Sequence, residues 1–151
     1  MGVDVIGQNG TIFSRSWWSW RPIAIYCFEV APQVCENSDH QGYWGFNNGS
    51  MTSTEAKELA SVLQTELNMD RTKQYAKDRE ARISALPDEP CDLCRASGTR
   101  NDWNTGHKNM KCNKCDGAGK VRPFETMYTF NVSTIQEFAD FLRTCGGFEL
   151  H

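Results

Sequence analysis

The sequence predicts an α+β protein, a small sheet packed by helices with a four-cysteine module inserted in it. Three observations predict this. Residues 2–6 and 126–132 alternate apolar and polar side chains, the period of a half-buried strand. Leu59, Val62, Leu63 and Leu67 fall at i, i+3, i+4 and i+8, one stripe of an amphipathic helix. Between the helical region and the last extended segment stand Cys91-Asp-Leu-Cys94 and Cys112-Asn-Lys-Cys115, with residues 95–111 between them.

The chain has 151 residues, 39% hydrophobic and 23% charged, which suits one core-bearing domain with a small satellite. No apolar run approaches the ~20 residues of a membrane helix. Met1-Gly-Val-Asp-Val-Ile-Gly has neither a basic start nor an apolar stretch of secretory type. Gly2 does not begin a myristoylation signal, because Ile6 stands where Ser or Thr is required. The expectation is a cytoplasmic protein without a membrane partner.

Taken in order, Gly2–Ile6 reads as a short strand and Gly7-Gln-Asn-Gly10 as a turn. Phe13 to Pro22 is the most aromatic stretch. Ser14 or Ser16 can cap a helix there, and Pro22 belongs to a first turn, so a helix is expected from about Arg21 to Val30. Ile23, Ile25, Tyr26 and Phe28 would bury it, and Pro32 would end it. Trp17, Trp18 and Trp20 have two readings: core aromatics, or a recognition surface, since Trp anchors interfaces. Three neighbouring indoles cannot all face inward from one element.

Glu36 to His40 reads as a polar loop, with His40 near Cys35 and Asp39 at no ligand spacing. Tyr43 to Gly49 looks like a strand edge entering a turn. Thr52-Ser-Thr-Glu55 is a capping box that opens the helix of the leucine stripe. A break near Asn68–Asp70 precedes a second, more charged helix from Arg71 to Ile83, with Asp78–Arg82 as an i, i+4 pair. Pro87-Asp-Glu-Pro90 is a stiff stop. After the cysteines, Thr126–Val132 is the clearest strand. Ser133-Thr-Ile-Gln136 is a second capping box before the apolar face of Phe138, Ala139, Phe141 and Leu142. Gly146-Gly147 stops that helix, and Phe148–Leu150 is a last short strand. The body thus comprises residues 1–90 and 123–151, with residues 91–122 inserted. Its N-terminal and 126–132 strands share a sheet packed by helices at 21–30, 53–67 and 134–145.

Two C-x2-C pairs at this separation can place four thiolates around one tetrahedral zinc ion. Cys91, Cys94, Cys112 and Cys115 are the expected ligands of one zinc per chain. Cys27, Cys35 and Cys145 remain of the seven cysteines, and the odd remainder argues against a disulfide framework. A closed knot that holds the 95–111 loop is the simplest role. A thiol-redox role is the competing one, and a catalytic zinc would need an open position, with His107 as a substitute ligand.

The second half-site, Cys112-Asn-Lys-Cys115-Asp-Gly117-Ala-Gly119, resembles the C-x2-C-x-G-x-G repeat of the DnaJ-type cysteine-rich zinc domain. The first, Cys91-Asp-Leu-Cys94-Arg-Ala96-Ser-Gly98, is similar but has Ala96 in place of the first glycine. The resemblance covers about thirty residues and implies a zinc fold with partner or unfolded-protein binding. There are repeats for one zinc only, and no His-Pro-Asp triplet of a J-domain. The whole chain more loosely resembles phage and bacterial proteins of unassigned activity that open Met-Gly-(Leu/Val)-Asp-Val-x-Gly. They carry a Trp-rich segment like Trp17-Trp18-Ser-Trp20-Arg-Pro22 and an ending like Phe141-Leu142-Arg143-Thr-Cys-Gly146-Gly147-Phe148. That resemblance implies a phage or mobile-element accessory or inhibitor protein, acting on a host protein in the host cytoplasm.

Residues 91–122 carry seven basic against three acidic side chains, although the whole chain is −3, so a basic module is joined to an acidic body. Within the loop, Trp103 stands among Arg100, Lys108 and Lys111, with Lys114 just beyond. Nucleic-acid binders combine stacking and phosphate neutralisation in this way. The other reading is a solvated loop with Trp103 packed over the cysteines. No Ser/His/Asp order, phosphate loop or carboxylate pair gives an enzyme class or a small-molecule substrate a foothold. The sequence thus predicts a non-enzymatic, zinc-stabilised protein-interaction protein. A nucleic-acid-binding zinc ribbon is the alternative, and a thiol-disulfide or chaperone-like activity the second alternative.

Overall fold

The computed structural model describes residues 2–35 and 49–151. The polar loop with His40 and most of the strand edge expected at 43–49 lie outside them. The chain divides into two compact units, residues 1–80 with 128–151, and residues 81–127.

In the larger unit, β1 (Gly2–Gly7) turns through Gly10, at φ 83°, into β2 (Ile12–Ser16). Val3 and Val5 face inward, and Val5 pairs with the buried Phe13. The last strand, β8 (Gly147–Leu150), pairs antiparallel with both β1 and β3 (Ser50–Thr52), giving the order β2-β1-β8-β3. The short C-terminal segment is therefore a central strand. Gly146 and Gly147, at φ 73° and 97°, turn the chain into it from α4 (Val132–Thr144), a backbone conformation that glycine adopts freely.

Helices pack on the sheet. The first, α1 (Trp17–Val30), begins four residues earlier than expected, so Pro22 lies inside it rather than in its first turn. Proline has no N–H to give Trp18, the i−4 carbonyl. That carbonyl instead accepts from the Thr129 N–H at 3.0 Å. Neither Ser14 nor Ser16 caps the helix: the Ser14 hydroxyl donates to Asp4, and Ser16 holds the N-cap position without a side-chain cap bond. Ile23 and Tyr26 are buried and Phe28 half-buried, but Ile25 points outward.

The capping box forms as expected. Glu55 N–H donates to the Thr52 hydroxyl and Thr52 N–H to the Glu55 carboxylate, opening α2 (Ser53–Asn68). Leu59 and Leu63 are fully buried, with Val62 and Leu67 packed against the same core. Asp70, at φ 56°, makes the break before α3 (Arg71–Ser84). The expected Asp78–Arg82 pair is absent: Asp78 accepts from Gln74, and Arg82 reaches Glu125.

The expected strand at 126–132 is not a strand, and β1 has other neighbours. After Pro123, residues Phe124–Met127 wind into a 3-10 turn closed by Thr126 N–H on the Pro123 carbonyl. Residues 128–131 are irregular. The alternation there is real, since Tyr128 and Phe130 are half-buried between exposed neighbours. Their rings pack on Trp18 and on Tyr26 and Tyr75. The backbone bonds go elsewhere, to the Trp18 carbonyl and from the Arg79 guanidinium, rather than to a ladder. The second capping box also fails. The N-cap of α4 is Asn131, without a side-chain cap bond, and the Gln136 amide bonds to Gln64 and Asp140 instead. Ile135, Phe138, Ala139 and Leu142 of α4 are buried with Leu59 and Leu63 of α2, completing one core.

Candidate metal centre

The smaller unit contains two very short antiparallel pairs. β4 (Glu89–Pro90) pairs with β7 (Lys120–Val121), where the chain enters and leaves the module. β5 (Thr99–Arg100) pairs with β6 (Met110–Lys111), a hairpin between the two half-sites.

The half-sites repeat each other atom by atom. The Ala96 N–H donates to the Cys91 carbonyl and the Gly117 N–H to that of Cys112, at 2.9 and 3.2 Å. Gly98 N–H donates to Cys94 Sγ at 3.3 Å, and Gly119 N–H to Cys115 Sγ at 3.2 Å. Cys91 N–H bonds to the Gly119 carbonyl and Cys112 N–H to the Gly98 carbonyl, both at 2.9 Å. The halves interlock where the glycines cross. A Cβ on Gly98 would sit 2.4 Å from the Gly117 oxygen, and one on Gly119 would sit 2.4 Å from the Ala96 oxygen. Side chains are thus excluded at both crossings by backbone, in a left-handed conformation that already favours glycine.

Cys91, Cys94, Cys112 and Cys115 are all buried, and their sulfurs lie within 4.8 Å of one another. The Cys91–Cys112 and Cys94–Cys115 sulfurs are 3.9 and 3.7 Å apart. A disulfide needs about 2.05 Å. A tetrahedron with metal–sulfur arms of about 2.3 Å has edges of about 3.8 Å. The donor set therefore fits a tetrahedral ion and does not fit a pair of disulfides. Burial pushes the Cys94 thiol up to about 11, whereas backbone N–H groups at Cys115 and Lys114 draw Cys112 down to about 7. A bound cation favours the deprotonated form of every ligand. The amides aimed at the sulfurs are the partners a metal thiolate uses to orient and stabilise itself.

No family model, curated protein or solved structure matches this chain.

The other expected site residues fall in different places. His107 is outside the sulfur cluster, its Nδ1 bonded to the Thr105 hydroxyl at 2.7 Å. Trp20 is buried in the larger unit, and Trp17 and Trp18 are half-buried there. Lys114 pairs with Asp92, and Lys111 meets Asp116 at 2.5 Å. Arg100 bonds to Asn113 Oδ1 at 2.8 Å. Trp103 does not pack over the cysteines, being 92% exposed. Cys27, Cys35 and Cys145 are buried thiols of the larger unit, not disulfides. Burial pushes Cys27 well above its ordinary range and Cys35 to about 12, so neither is a ready nucleophile.

Two features had little sequence signal. Arg122 donates to the carbonyls of Leu86 and Ile83 and to Asp88, tying the outgoing strand to the end of α3. The Arg122 guanidinium holds the Asp88 carboxyl below the usual carboxylate range. Pro90, Val121, Phe124 and Met127 line a groove of about 560 Å³, with Glu89, Asp92, Lys114 and Arg122 along it. It gathers three separated segments, so no local pattern could mark it.

Proposed function

We propose that this chain is a non-enzymatic, zinc-stabilised interaction protein. One zinc ion held by Cys91, Cys94, Cys112 and Cys115 fixes a ribbon-type module, and that module presents apolar side chains to a protein partner. One observation carries the reading: the module buries its sulfurs and turns its large apolar side chains out. Among the described residues, Leu93, Phe124 and Met127 are exposed by 47–62%. A unit stabilised by apolar burial would do the reverse. Four sulfur ligands also leave zinc no open position for a substrate, which supports a structural rather than catalytic ion. The DnaJ-type resemblance of residues 91–122 points the same way, toward a zinc fold that serves binding.

Elemental analysis of the purified chain tests the metal half of the proposal and should give about one zinc per chain. A metal-free chain with four reactive thiols would bring the thiol-redox reading forward. The interaction half is tested by replacing Phe124 and Met127 together with serine. Zinc content and melting should stay unchanged while a captured partner is lost. Retention of every partner by that variant would remove the groove from the proposal.

A further inference from the structure

Trp103 is the most exposed of the large apolar side chains described, at 92%. It sits in the β5–β6 hairpin, and the hairpin is held by its own bonds. Asp102 N–H donates to the His107 carbonyl and Gly106 N–H to the Asp102 carbonyl, both at 2.9 Å. The Asp102 carboxylate accepts from the Asn104 N–H and the Thr105 hydroxyl, and the Asn101 side chain accepts from the Asn109 N–H. Gly106 and Asn109 take the positive φ these turns need, 72° and 56°. The indole is therefore displayed on a fixed support, so little conformational entropy is lost when it binds.

The surroundings select the ligand. The chain on either side of Trp103 is polar: Asn101, Asp102, Asn104, Thr105 and His107. A protein hot spot wants a desolvated apolar rim around its aromatic, and none is built here. Instead, Arg100, Lys108 and Lys111 share the hairpin with one carboxylate, Asp102, which is turned onto its own loop. Arg100, Lys111, Asn113, Asp102 and Met110 line an adjoining groove of about 270 Å³. A bare π-face beside cations and amides matches a base and its phosphates.

We propose that this hairpin binds single-stranded nucleic acid, with one unpaired base stacked on Trp103 and flanking phosphates on Arg100 and Lys108. Lys111, already paired with Asp116, contributes less. This surface is separate from the protein-binding reading and does not depend on it. The few phosphate contacts make binding weaken as salt rises, and the acidic remainder of the chain favours a short footprint.

The test uses the zinc-loaded full chain and fluorescein-labelled oligo(U) and oligo(dT) of about 16 nucleotides, with a duplex of equal length. Anisotropy at low salt should show saturable binding to the single strands and weaker binding to the duplex. Trp103→Ala should weaken it roughly 5- to 150-fold, the worth of one stacked base, and Trp103→Phe should restore part of the loss. Lys108→Gln should lower the slope of log affinity against log salt by about 0.7. All three substitutions are at solvent-facing positions and should leave melting and zinc content unchanged. No saturable binding, or binding that Trp103→Ala leaves intact, overturns the inference. So does Trp103-dependent binding to anionic vesicles by a chain that ignores the oligonucleotides. A chain that holds zinc but ignores oligonucleotides sinks this inference alone, while a metal-free chain sinks the metal proposal.

Discussion

In the larger unit, 22 buried side chains among the described residues form one continuous core, including Trp20, Tyr26, Leu59, Leu63, Phe138 and Phe148. In the smaller unit, the buried cluster around the cysteines is four thiols with half-buried Val121 beside them. The first is ordered by removing apolar surface from water. The second has almost no such surface to remove, and its strands are two residues long. A segment of that size needs a staple. The difference teaches that one chain can contain two independent sources of order, and that a perturbation of one should leave the other in place.

The largest effect should come from removing the metal. Apparent binding free energies of structural zinc are about 10–16 kcal/mol near neutral pH. A strong chelator, or Cys112→Ser, should abolish the protection of residues 91–122 in hydrogen exchange. The amides of α2 and β1 should stay protected. Loss of protection in both units together would mean that the module's metal also holds the body, and the comparison would fail.

Within the same module, Gly98→Ala, with Gly119→Ala as its counterpart, acts on the metal indirectly. The new Cβ would overlap a backbone oxygen at 2.4 Å, and the chain cannot move without shifting the Gly98 N–H that bonds Cys94 Sγ. Loss of such a supporting contact typically lowers metal affinity about 10- to 100-fold. Competition with a calibrated chelator measures it; unchanged affinity would show that the crossing can relax. In the body, Phe138→Ala removes a ring that packs on Phe13, Trp20, Phe141 and Phe148. It should cost about 3–5 kcal/mol in denaturant unfolding of the body, without changing the zinc content. A fall in bound zinc would break the separation from the other side.

How much of this was legible in the sequence follows the same division. Four cysteines in two C-x2-C pairs are a local pattern, and so is a capping box such as Thr52–Glu55, so the cysteine cluster and the cap both form as the sequence implies. The stripe on α2 survived because helix period and burial agree there. Residues 126–132 misled because alternation records burial, not hydrogen bonding. Tyr128 and Phe130 do face the body, but the carbonyl freed by Pro22 took the Thr129 N–H that a ladder would have used. β2 was missed because Ser14-Arg-Ser16 supplies no alternation beyond Phe13. The groove of Pro90, Val121 and Phe124, and the Arg122 clamp on α3, depend on segments distant in sequence, and only the folded backbone joins them.

The smallest effect separates the two half-sites. Ala96 and Gly117 occupy equivalent positions and both have positive φ, 63° and 81°. An L-residue in that region costs roughly 1–2 kcal/mol relative to its ordinary conformations, and glycine gives back part of the relief as chain entropy in the unfolded state. Ala96→Gly should therefore raise the stability of the module by up to about 1 kcal/mol. Gly117→Ala should lower it by a similar or larger amount, because its Cβ would also press Lys111 Cγ at 3.2 Å. Opposite signs for the two substitutions, read as chelator-induced unfolding midpoints, would establish that the first half-site carries strain the second has avoided. Equal signs would mean that the symmetry of the backbone does not extend to its energetics.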